Sequence, residues 1–134
     1  MYDQLAFYTL EHGRTNPSFI HQYIVDAYAA QHPNDGAKTI RIAFALIGLY
    51  LHIEKGYSGK EVQLAHMQLA KKRKQWPAFD PPEKLGDITV GSVLNAKPGA
   101  DRDQMIEKWC VSVWESWRGS QQEIRNLVRS ELGV

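Results

Sequence analysis

Two histidine-bearing stripes supply the residue types for proton transfer or metal ligation in this 134-residue chain. A helix turns about 100° per residue, so His21, Val25, Tyr28 and His32, at offsets of 4, 3 and 4, share one narrow face. The same arithmetic aligns Arg41, Ala45, Gly48 and His52 as the only polar stripe of the next segment. If the two segments fold back about the turn at 33–36, His32 faces Arg41 and His21 faces His52. Ala45 and Gly48 then leave room for close approach or for a small ligand. A metal would need His21 and His52 plus a third ligand, with His12, Glu54, His66 or Asp26 as candidates. No His-Glu-x-x-His or other ordered ligand pattern is present, so neither a metal nor a cofactor is expected. Core histidines bonded to backbone carbonyls or carboxylates are the simpler account.

Asp26 falls on a different face, with Phe19, Tyr23 and Ala30. An ionised carboxylate buried alone would cost several kcal/mol, so it needs a partner or a raised pKa. A raised pKa would suit a general base. A structural ion pair with Arg41 or Arg14 is the plainer expectation.

Other polar features carry less. Lys71-Lys72-Arg73-Lys74 could meet phosphate, but cations at a helix C-terminus also complement its dipole. With no interleaved aromatic platform, nucleic acid is not an expected partner. Gly56-Tyr57-Ser58-Gly59-Lys60-Glu61 lacks the glycine spacing of a phosphate loop and follows a helix, not a strand. Trp109, Trp114 and Trp117 lie on one helix, and with Trp76 they read as core, Trp114 widening the stripe toward a pocket or a second subunit. Cys110, on the same stripe, reads as packing, because no basic group shares its face.

The positioning elements are all helical. Residues 2–12 have helical spacing and Gly13 closes them; Asn16-Pro17 then reads as N-cap and first position of a helix that runs to His32 and stops at Pro33. A central helix over 37–55 is apolar on two faces and ends at Gly56. Ser58 and Glu61 form a capping box for a helix over 59–75. Three prolines make 77–86 a loop, which Phe79 and Leu85 pin to the body. Asp87 or Thr89 caps a short helix through Leu94. The last helix starts near Asp101 and continues, with a kink at Gly119, through Leu132. The fold class is therefore all-α, a compact single-domain bundle of five to six helices with one Pro-rich loop.

Bulk properties narrow the class further. The chain is 43% hydrophobic and 23% charged, with a formal net charge of +1, so no global field draws it to nucleic acid or membrane. A lone cysteine precludes an internal disulfide. The N-terminus lacks the basic region of a signal peptide, and Ile42–Leu51, the longest apolar run, is too short to span a bilayer. A soluble cytoplasmic protein is expected.

The segment Val25-Asp26-Ala27-Tyr28-Ala29-Ala30-Gln31-His32-Pro33, with His21 before it, resembles the hallmark of a small bacterial family of helical proteins of unknown function. The likeness extends to Ile47-Gly48-Leu49-Tyr50-Leu51 with Glu54-Lys55-Gly56, to Asp87-Ile88-Thr89-Val90, and to Trp109 with Val113-Trp114-x-x-Trp117. It implies a compact bacterial, cytoplasmic helical domain and assigns no catalytic residue. Many members of that family carry a Cys-x-x-Cys pair near the N-terminus; this chain has none, so a metal role for that pair does not carry over. The resulting expectation is a non-catalytic interaction or small-ligand-binding domain that self-associates as a homo-oligomer. Exposed aromatics of the last helix or of the 77–86 loop would form the contact. The alternative is a metal- or acid/base-dependent enzyme built on His21, His52 and Asp26, with Tyr28 and His32 orienting them.

Overall fold

The twin apolar stripes of the central segment require a helix with neighbours on most sides, and Thr39–Lys55 has them. A computed structural model describes residues 1–13 (side chains through 11), 20–34, 38–72 and 75–134. In chain order the helices are α1 (Tyr2–Gly13), α2 (His21–Gln31), α3 (Thr39–Lys55), α4 (Gly59–Lys72), α5 (Val90–Asn95), α6 (Ala100–Ser116) and α7 (Gln121–Leu132). No strand occurs among the described residues. The helix α3 packs against α2, α4, α6 and α7, while α1 packs on α2 and α5.

Several termini follow from local chemistry. Gly56 takes φ +72° at the end of α3, and its N–H and that of Tyr57 close back on the last turn. Ser58 and Glu61 exchange N–H···O bonds of 2.9 and 3.2 Å ahead of α4. Of the two caps expected for α5, Thr89 is the one used, and Ser92 reciprocates. The cap at Asn16-Pro17, Arg73-Lys74 and part of the 33–36 turn lie outside the described residues.

The five to six helices expected become seven among the described residues. The last one divides because Trp117 turns inward, 1% exposed, and its indole N–H reaches the Ala30 carbonyl at 3.0 Å. A short 3-10 turn over Arg118–Ser120 follows. The Gln121 amide then donates to the Trp114 carbonyl at 2.9 Å, which also accepts the Trp117 N–H at 3.1 Å.

Burial also overturns the contact expected from aromatic surface. Trp109, Trp114, Trp117 and Phe79 are all buried. Each indole N–H of the α6 region has a specific acceptor: Trp109 donates to Gln31 Oε1 and Trp114 to Glu54 Oε2, both at 2.9 Å. Gln31 in turn donates to the carbonyls of Leu85 (3.1 Å) and Ile88 (2.7 Å). One buried amide thus fastens α2, α6 and the end of the Pro-rich loop.

Candidate functional site

The two polar stripes do not meet as their spacing suggests, because α2 presents a different face to α3. Tyr23 stacks on His52 with ring centroids 3.6 Å apart. One helical turn on, Asp26 fills the space beside Gly48. The pairs 23/52 and 26/48 run in opposite directions along the chain, so the hairpin is antiparallel as expected. Its register is offset by one to two residues, and the face used is Tyr23–Asp26–Ala30. Burial separates the two faces: Tyr23, Asp26 and Ala30 are buried, whereas His21, Val25, Tyr28 and His32 stay half-buried.

The histidine face of α2 turns toward α1. His21 Nδ1 lies 2.9 Å from Thr9 Oγ1; that hydroxyl donates to the Ala6 carbonyl at 3.1 Å, so it accepts from the imidazole. Burial lowers the His21 pKa. His32 does not face Arg41 through its ring: it stacks on Tyr28 at 4.1 Å and its Nδ1 lies 2.9 Å from the Tyr28 carbonyl. Tyr28 stacks in turn on Tyr2 at 4.2 Å, giving a three-ring column. Arg41, half-buried near the start of α3, has its charge close enough to the Tyr2 phenol to oppose the rise that burial imposes on it.

His52 is committed elsewhere, with Nε2 2.7 Å from Glu107 Oε2 on α6 and Nδ1 3.3 Å from the Tyr57 carbonyl. The same carbonyl accepts the Tyr23 hydroxyl at 2.9 Å, and burial pushes the Tyr23 phenol up to about 12. Glu54, a potential third ligand, is instead chelated by Arg125 at 3.0 and 2.8 Å. Those bonds hold its carboxyl below the ordinary value. His66 donates from Nε2 to the Phe44 carbonyl at 2.8 Å, and the His12 side chain lies outside the described residues. Among the described residues no group of three His, Cys, Asp or Glu could hold a metal ion.

Asp26 departs from the ion pair expected for it. Its Oδ1 accepts from the Gln22 amide at 3.2 Å, and Oδ2 is buried with no hydrogen-bond partner. Arg14 is outside the described residues, and Arg41 makes no ion pair with Asp26. Burial drives this carboxyl well above 3.8, favouring its neutral form over the ionised one. Cys110 lies nearby, fully buried, its thiol facing the Tyr23 carbonyl and its pKa raised by burial.

The open site among these residues lies at the end of the ring column. Met1, Tyr2, Tyr28, His32, Thr89, Val90 and Gly91 line a cleft of about 220 Å³ between α1, α2 and the start of α5. Spacing on one helix is enough to single out Tyr28 and His32. It does not single out Tyr2, Thr89 or Gly91, since nothing local links positions so far apart in the chain. Of these only Thr89 carries a signal, as part of the resembling segment Asp87-Ile88-Thr89-Val90.

The molecule is all-helical among the described residues, its buried polar groups chiefly tie helix to helix, and phenol, imidazole and hydroxyl groups line a cleft at the end of the ring column. The chain belongs to DUF5946, a family of unknown function, whose model matches residues 1–118, from α1 through α6. No curated protein and no solved structure matches it.

Proposed function

We propose that the domain binds a small organic molecule in the cleft formed by Tyr2, Tyr28, His32, Thr89 and Gly91, and does so without catalysing a reaction. One observation carries the reading. Within the α2 segment, Asp26, Ala27, Ala30 and Gln31 are buried in helix contacts, while Tyr28 and His32 line the cleft. At about 220 Å³ it falls just below the ~300–1,000 Å³ of drug-sized pockets, a fit for a fragment-sized ligand with one apolar face. Phenol and imidazole edges supply donors and acceptors, and Met1 and Val90 supply apolar contact.

Ligand-observed NMR with a fragment set, followed by thermal shift, tests this. Saturable binders that lose affinity at least tenfold in His32→Ala and Tyr28→Ala support the cleft. Binders indifferent to both substitutions, or none at all, sink it. Self-association in a bacterial cytoplasm remains part of the proposal, but its surface cannot be the buried indoles. The enzyme alternative on His21, His52 and Asp26 has less support, because the three diverge: His21 bonds Thr9 on α1, His52 bonds Glu107 on α6, and Asp26 bonds Gln22 of its own helix beside Gly48 of α3.

A further inference from the structure

Two exposed helix faces combine apolar side chains with charges of opposite sign. On α1, Asp3, Phe7 and Leu10 lie within one narrow stripe, with Phe7 68% and Leu10 47% exposed. Beside them is a shallow groove of about 570 Å³ lined by Asp3, Gln4, Phe7, Leu94 and Arg102. Arg102 is already spent on the Leu94 and Ala96 carbonyls, at 2.9 and 3.2 Å, and on the Tyr8 ring. The uncommitted charge at this groove is therefore the Asp3 carboxylate.

On α4, Lys60, Leu64, Met67 and Lys71 form the corresponding stripe at offsets of 4, 3 and 4. Leu64 and Met67 are 54% and 55% exposed, a ridge of two apolar knobs between two exposed lysines. The first of these helices packs on α2 and α5, the other on α2, α3 and α7, and neither exposed face is covered among the described residues.

We infer that the occupant of the α1 groove is the α4 ridge of a second copy of this chain, joined head to tail. Laid antiparallel, Met67 meets Phe7, a favourable sulfur–aromatic contact, Leu64 meets Leu10, and Lys71 reaches Asp3. Because the two faces differ, the contact is heterologous, and each added copy leaves one groove and one ridge open.

Sedimentation across a concentration series, with two single variants, tests the arrangement. The native chain should grow past the dimer as concentration rises, and less so at high salt. Phe7→Asp destroys only the groove and Met67→Asp only the ridge; both positions are exposed, and circular dichroism verifies that each variant folds. Each alone should be monomeric, and an equimolar mixture should give a capped 1:1 dimer. Association weaker than the native by tenfold or more is expected for each variant alone. A native chain that stays monomeric to millimolar concentration, or a mixture that stays monomeric, overturns the inference. So does a native dimer that one variant leaves intact.

Discussion

A β-carbon on Gly48 would lie 2.0 Å from Asp26 Oδ2 and 2.6 Å from its Cγ. Alanine would otherwise favour a helix interior by about 1 kcal/mol, yet Gly48→Ala should destabilise by about 1–3 kcal/mol, because the buried carboxyl must shift or the two helices must part. Denaturant melts check this, and adding Asp26→Ala should recover most of the loss; a neutral Gly48→Ala would show that the two helices slide apart freely. The Asp26 carboxyl has a second consequence. Its pKa is raised in the fold above the ordinary 3.8, so its contribution is fully present below about pH 3.8 and is lost as pH rises toward the folded value. Asp26→Asn should therefore stabilise the protein at neutral pH. It should also remove a slope of up to about 1.4 kcal/mol per pH unit over that window. Spacing places Asp26 correctly with Tyr23 and Ala30. That its neighbour is an absent side chain, and not a base, is not legible in sequence, since it depends on the register of α3.

At the scale of elements, local signals are strong wherever a terminus has its own chemistry. The Ser58–Glu61 box and Gly56 are examples, as residues within three or four positions determine them. Side-chain ties between distant elements leave no such trace. Gln31 looks like any polar residue near a helix end, yet it bridges the Leu85 and Ile88 carbonyls and accepts the Trp109 indole. Gln31→Ala should cost on the order of 1–3 kcal/mol by leaving buried partners unpaired. Its coupling to Trp109→Phe in a double-mutant cycle should exceed about 0.5 kcal/mol. Additivity of the two substitutions would mean that the bond contributes nothing. The choice of α2 face escapes sequence reasoning for a related reason. A helix apolar nearly all round offers several faces, and the bulk of α1 and α3 decides between them.

For the whole molecule, the all-helical class is legible from periodicity, whereas the seven helices among the described residues require seeing Trp117 turn inward. The pH profile is also a property of the whole. His66 is lowered by burial in the fold, so its contribution is present above about pH 6.5 and is lost as pH falls through the folded value. Asp26 tilts the curve the other way, so the His66 contribution is read as a difference: relative to His66→Gln, the native chain should lose stability as pH falls below about 6.5. Native and His66→Gln profiles that stay parallel between about pH 6.5 and 5 would count against burial of this ring.

Cys110 gives access to motions that none of these equilibrium measurements follow. Its thiol is 0% exposed and lies against the Tyr23 carbonyl, between α2 and α6. A thiol reagent can reach it only when those helices part, and the chain has no other cysteine to react. The rate of its labelling is thus a built-in clock for opening of the bundle, readable one molecule at a time by mass.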